Sequence, residues 1–221
     1  MLLRCLLSTL SLIACGLFAT VSYCDELPVI VEEDFEQGAD RWETLGESQW
    51  QVIEQDGNKV YRVEGKGKYN PPHRSPVHIA LLKDVSVGDF VLTADVQSTS
   101  KIYGHQDMCL FFNFVDPGHF YYVHLGRKAD PHANQIFIVN DAPRKAITKQ
   151  ESPGTDWSEK WHKVKIVRRT ADGTIEVYFD DMETPAMTAQ DKSFTSGRIG
   201  LGTFDDNGHW DNVVLRGKKV E

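Results

Sequence analysis

The sequence predicts an all-β sandwich of two antiparallel sheets, and three observations carry that prediction. Short runs rich in Val, Ile, Phe, Tyr and Trp recur along the chain, Gly, Pro, Asn and Asp punctuate them, and no long stretch repeats its apolar residues at helical spacing. So many short strands need two stacked layers. The 221 residues fit one such domain once an N-terminal leader is set aside.

Residues 1–24 read as that leader. Arg4 precedes an apolar run from Cys5 to Val21, and small and polar residues follow it. The run is short for a membrane span and lacks a basic stop-transfer flank. Leu12-Ile13-Ala14-Cys15 also resembles a bacterial lipobox, which would make Cys15 a lipid anchor, although Gly16-Leu17-Phe18 stay apolar where a polar tether is usual. Either route exports a domain over 25–221 as a secreted, periplasmic or envelope-attached protein. Cys109 is the one cysteine well inside that domain, so no disulfide framework is expected and Cys109 reads as a small strand residue. The formal charge of −8 favours solubility and offers no general attraction for nucleic acid or acidic membranes.

Candidate strands cover residues 29–35, 50–54, 59–63, 78–82, 90–97, 108–114, 120–125, 135–139, 145–148, 162–168, 174–180, 198–203 and 210–215. Asp56-Gly57 and Asp172-Gly173 supply the positive φ that closes tight hairpins. Residues 65–76, with three prolines, read as a loop over one rim, and residues 149–160 as another. Alternation sorts the faces. Phe90, Leu92, Ala94 and Val96 point to the core. So do Met108, Leu110, Phe112 and Phe114, which leaves Asp107, Cys109, Phe111 and Asn113 outward; Tyr121, Val123 and Leu125 go inward, leaving Phe120, Tyr122 and His124 outside.

Several motifs then take on a familiar order: Asp34-Phe35-Glu36 before Trp42, Trp50-Gln51-Val52 before Asp56-Gly57, Trp161-His162-Lys163-Val164, Ile175 through Asp180, and Gly197-Arg198-Ile199-Gly200-Leu201-Gly202 before Trp210-Asp211-Asn212-Val213. That order resembles the concanavalin A-like lectin/glucanase superfamily, especially laminin-G-like and 3-keto-disaccharide-hydrolase-type domains of exported bacterial proteins. The resemblance implies a jelly roll that meets glycan across its concave face. It specifies architecture better than activity. The alternating acidic strand that places nucleophile and acid in glucanases of this superfamily is missing, so a standard retaining glucanase is not expected. Asp180-Asp181-Met182-Glu183, the nearest acidic strand end, reads as a turn.

The densest polar and aromatic grouping is Tyr103 to Asp107, Asn113, and His119 to His124, with Arg74 and His78 arriving from the preceding segment. A hairpin through Asp116-Pro117-Gly118 would set Asn113, Tyr122 and His124 on one face near Asp107 and Phe111. A sugar suits such a face, because a ring covers its C–H surface while Asn, Asp, His and Arg bond its hydroxyls. Two catalytic readings use the same residues. In polysaccharide lyases of jelly-roll type a Tyr and a His move the proton beside a uronate, and Tyr122 and His124 match those types, with Arg74 and Asn113 to neutralise the carboxylate. A hydrolase would use Asp107 with His105 or His124 to activate water. Passive binding of carbohydrate stands beside both, as do a purely structural role for His124 and Tyr122 and a laminin-G-like adhesion module that binds another protein. Asn140 and Arg144 belong to a further rim segment, with Arg144 either a surface charge or a clamp on an acidic sugar. Histidine spacing does not suit zinc. A structural calcium is the metal the sequence admits, with Glu33 or Asp34 near the first strand and Asp211 on the last as hard-oxygen ligands, beside the plainer reading of these groups as solvated edge carboxylates.

Overall fold

A computed structural model describes residues 27–46 and 49–220; the leader, with Cys15 and Cys24, lies outside them. Strands follow one another without a helix among the described residues: β1 (Val29–Glu33), β2 (Trp42–Thr44), β3 (Trp50–Gln55), β4 (Asn58–Val63), β5 (His78–Leu82), β6 (Val87–Ser98), β7 (Asp107–Asp116), β8 (His119–Gly126), β9 (Gln135–Asn140), β10 (Lys145–Ala146), β11 (Thr148–Glu151), β12 (His162–Arg169), β13 (Thr174–Phe179), β14 (Met187–Gln190), β15 (Arg198–Thr203) and β16 (Gly208–Lys219). They form two antiparallel sheets. One runs β11-β14-β13-β12-β6-β16-β4-β3, with β1 on β16, and the other runs β10-β9-β8-β7-β15-β5-β2. This is the predicted two-layer jelly roll.

Local chemistry explains the pairing. Asp56 and Gly57 both take positive φ, 54° and 81°, and close the β3–β4 hairpin. Gly173, at φ 82°, closes β12 onto β13. Pro117-Gly118 turns β7 into β8, with Asp116 opposite His119. The Asp181 carboxylate accepts from the N–H groups of Glu183 and Thr184, as a turn after β13 requires.

Between the sheets, Phe90, Leu92, Ala94 and Val96 of β6 meet Met108, Leu110 and Phe112 of β7 and Tyr121, Val123 and Leu125 of β8. Each buried side chain of this size contributes about 1.5–3 kcal/mol relative to exposure, so this layer carries the fold. The outward face of the seven-stranded sheet is apolar too. Phe111, Phe114, Phe120, Tyr122, Phe137 and Val139 form a second cluster there, covered by Leu45, Tyr69 and Phe204. Tyr69 comes from the Pro-rich segment expected to lie over one rim, and its ring helps seal that face.

Alternation along β7 breaks once, which overturns the expected places of Asn113 and Phe114. Asn113 takes φ 43°, and the register slips there: β15 pairs Arg198 with Phe114 but Gly200 with Phe111. This bulge sends Phe114 to the outer cluster and Asn113 to the interior. Asn113 Nδ2 donates to the Val87 carbonyl (3.2 Å), and its Oδ1 accepts from Arg168 Nε (3.1 Å). Arg168, wholly buried, also donates to the carbonyls of Asp191 and Phe194, both at 2.9 Å. Gly197 lies against the bulge, where a Cβ would stand 2.4 Å from the Asn113 carbonyl carbon.

Candidate functional site

A cavity of about 550 Å³ opens at the end of the seven-stranded sheet where β5, β7 and β9 begin and β8 and β15 finish. The strands themselves supply Asp107, the first residue of β7, and His124, near the end of β8. Phe204 and Asp205 follow β15, Arg74 and Val77 precede β5, and Arg144 reaches back from just before β10. His105, His132 and Ala133 come from loops. Of the residues predicted for the site, the structure therefore brings Asp107, His124, Arg74, His105 and Arg144 around one space. Phe204 and His132 were missed. An aromatic between the Gly-rich strand and the acidic turn was the available signal for Phe204.

Arg144 is the most constrained side chain of the cavity. Its guanidinium lies between the rings of Phe137 and Phe204, 4.6 and 4.7 Å from their centroids. Nη1 donates to the Tyr122 hydroxyl (2.8 Å) and Nη2 to the His132 carbonyl (3.2 Å). Tyr122 does point away from the core between the sheets, as expected. It does not face water: the ring is buried, stacked on Phe137 at 5.1 Å and on Phe111 at 5.8 Å. Burial raises the Tyr122 phenol far above its ordinary value, against the opposing pull of Arg144. Its visible task is to hold Arg144.

His124 is buried and neutral. Desolvation, helped by the charge of Arg144, pushes its pKa down to about 3. The Asn134 N–H donates to Nδ1 (3.3 Å), so the ring proton sits on Nε2, which lies 3.6 Å from Asp107 Oδ2. Asp107 is fully enclosed. Burial and the adjacent Asp206 carboxylate raise its pKa well above the usual range, while the Cys109 thiol (3.2 Å) and the Phe204 N–H (3.2 Å) donate to its Oδ2. Asp206 in turn accepts from the Asp107 N–H (2.7 Å) and the Tyr103 hydroxyl (2.9 Å). Burial likewise pushes the Cys109 thiol up, so it is no nucleophile.

Ligating atoms of Asp107, Cys109 and His124 lie within 4.8 Å of one another, as do those of Asp107, Asp205 and Asp206. In the first set the imidazole lone pair already accepts from Asn134, so Nε2 offers a proton where a cation would need electrons. Asp34 and Asp211 lie elsewhere. Asp34 accepts from the Glu36 N–H (3.1 Å), while Asp211 accepts from Asn58 Nδ2 (2.8 Å) and the Asn212 N–H (2.7 Å). Burial raises the Asp211 pKa, and the charges of Asp95 and Asp34 add to that rise. Among the described residues no third His, Cys, Asp or Glu joins this pair within ligating distance, so calcium there would depend on backbone carbonyls.

Four further predicted residues fall away from the cavity. Asn113 is held inside by Val87 and Arg168. Phe111 is buried in the outer cluster. By alternation with Ile79 and Leu81, His78 points to the opposite side of β5, and its Nε2 bonds the Gly65 carbonyl (3.1 Å). Asn140 pairs with His119 at the other end of the sheet. A separate chain of bonds, not foreseen, links Ser158 Oγ to His162 Nε2 (2.8 Å) and His162 Nδ1 to Asp180 Oδ2 (2.7 Å). This has the connectivity of a catalytic relay. Yet Nε2 also takes the Ser158 N–H (3.1 Å), and Ser158 Oγ accepts from the Lys160 N–H (3.2 Å), so the hydroxyl is tied into closing its own turn.

No family model matches the chain, and no curated protein does. Solved structures do match in shape. The carbohydrate binding module CBM66 from Bacillus subtilis superposes with a TM-score of 0.58 at 17% identity, covering 80% of this chain and 96% of that one. Domain 4 of AbnA, a GH43 extracellular arabinanase from Geobacillus stearothermophilus solved with arabinotriose, gives 0.58 at 10% identity, covering 88% and 95%. The cellulose induced protein Cip1 gives 0.60 at 14% identity, covering 86% and 98%. At these identities the likeness is one of fold: with sheet order and shape in agreement, the chain shares the two-sheet jelly-roll sandwich of these structures.

Proposed function

We propose that this protein binds a glycan in the cavity beside Arg144, Phe204 and His124, without cleaving it. The observation that carries this reading is the composition of the cavity wall. A half-buried aromatic, Phe204, stands beside fixed hydrogen-bonding groups on Arg144 and His124, in a space within the usual 300–1,000 Å³ or so of small-ligand pockets. A sugar offers a C–H face to the first and hydroxyls to the second. Similar jelly rolls named for carbohydrate binding, CBM66 and the AbnA domain solved with arabinotriose, support the class of ligand. Export, the expectation from the leader, suits an extracellular glycan.

Binding alone is favoured over turnover by the state of the candidate acid and base. A histidine held neutral down to about pH 3 is a weak proton acceptor near neutrality. The Tyr122 hydroxyl is buried and already committed to Arg144. Affinity electrophoresis of the full chain through gels carrying neutral and acidic polysaccharides tests the reading, with assays for new reducing ends and new ultraviolet absorbance alongside. Retardation by one polymer, its loss in Phe204→Ala with an unchanged Tm, and no new chain ends are expected. Failure of every glycan to retard the protein overturns the reading in favour of a protein-binding module.

A further inference from the structure

The cavity holds two arginines, Arg144 and Arg74, without an ion-pair partner among the described residues. Arg144 is oriented by neutral partners alone: two ring faces, a phenol and a backbone carbonyl. Arg74 lines the same cavity. Among the described residues no carboxylate comes within ion-pair distance of either guanidinium. Of the two carboxyls in the wall, Asp107 is enclosed beside Asp206, and burial holds its pKa well above the usual range, while Asp205 is exposed. Two arginines thus line the cavity without pairing with an acid, in a chain whose net charge is −8.

A guanidinium fixed in this way has already lost its rotamer freedom, and its planar N–H edges match an oxyanion. Partial enclosure by Phe137 and Phe204 lowers the local dielectric and strengthens any ion pair formed there. Were Arg144 needed only to fill space between the rings, an apolar side chain would do so without a buried charge. We propose that the glycan carries an anionic substituent, a uronate carboxylate or a sulfate ester, that binds against Arg144 with Arg74 as its second cation. This rests on the glycan-binding reading and goes beyond it in naming the substrate class.

Matched polymers isolate the charge from the sugar. Polygalacturonate is compared with its fully methyl-esterified form, and a sulfated galactan with its desulfated form, by affinity electrophoresis of the full chain. The anionic member of one pair is expected to bind about tenfold more tightly or better than its uncharged counterpart. Which pair responds distinguishes carboxylate from sulfate. Arg144→Gln removes that preference, and Arg74→Gln, at an exposed position, reduces it at an unchanged Tm. Equal binding of charged and uncharged members in both pairs overturns the inference while leaving glycan binding intact. Preference that survives both substitutions overturns the assignment to this cavity. Failure of all four polymers, with no retention on wider glycan panels, brings down the glycan reading itself and this inference with it.

Discussion

Asn113→Ala should behave as a stability mutation and leave the cavity alone, against the placing of Asn113 beside Tyr122 and His124 that simple alternation suggests. Three losses add up. The Arg168 guanidinium, wholly buried, loses the acceptor for its Nε, at about 1.5–3 kcal/mol for a bond to a charged group. The Val87 carbonyl loses its donor, at about 0.5–1.5 kcal/mol. Alanine at φ 43° adds about 1 kcal/mol or less, because it tolerates the left-handed region less well than the asparagine it replaces. The expected cost is together about 2–5.5 kcal/mol, a large share of the ~5–15 kcal/mol that holds a typical domain. Urea unfolding followed by tryptophan fluorescence measures it, and Asn113→Gly separates the backbone share, since it breaks the same bonds without the φ penalty. A loss below about 1 kcal/mol would refute the reasoning, as bonds worth that little could not fix a buried arginine. So would an unchanged unfolding midpoint with lost glycan retention.

Gly197→Ala should be worse than most surface changes, because the new Cβ meets the Asn113 backbone and φ is 154°; a fall in soluble yield or a Tm lowered by many degrees checks it. His124 should stay neutral through the pH range in which ordinary histidines titrate, seen as a flat ring shift by NMR. Its folded pKa lies below the unfolded value, so its contribution is complete above about pH 6.5 and falls by up to ~1.4 kcal/mol per unit as pH drops towards 3. His119 should show the opposite sign: the bond to Asp116 raises its pKa, with Asp141 adding to the rise, so its contribution is full below the unfolded pKa and fades as pH climbs through the folded one. NMR titration should find His119 protonated at a higher pH than a free histidine, and Asp116→Asn should bring it down.

Much of the sheet was legible because alternation and burial agree. The inward sets of β6 and β8 follow from the period-two pattern, and the hairpins at Asp56-Gly57 and Asp172-Gly173 follow from turn chemistry. β2 and β14 escaped notice for a physical reason: Trp42–Thr44 and Met187–Gln190 are too short and too mixed to show alternation, and they form because a neighbouring strand offers a free edge. At Asn113 nothing in the local pattern marks a bulge, since an Asn among phenylalanines reads equally well as an outward polar residue. What decides the matter is Arg168, distant in sequence, whose buried charge needs the Asn113 side-chain amide oxygen. The site was legible in types and not in depth. Arg74, His105, Asp107, His124 and Arg144 do surround one cavity, whereas Tyr122 sits beneath it.

That depth follows from how the outer face of the seven-stranded sheet is covered. β7, β8 and β9 carry Phe111, Phe114, Phe120, Tyr122 and Phe137 on that face, far more apolar surface than a soluble domain leaves in water. Leu45, Tyr69 and Phe204 close over it, and the middle of the sheet is thereby removed from reach of a ligand. One end remains open, where the aromatic run gives way to His124 and Asp107 and where Arg144 crosses the last rings. The same packing that shuts the face builds the site, since Phe137 and Phe204 serve the outer cluster with one side and clasp Arg144 with the other. A chain laid lengthwise across the sheet has no floor to rest on. On the proposed glycan-binding reading, a sugar would enter by its end or by a side group, with Arg144 as the fixed point it meets.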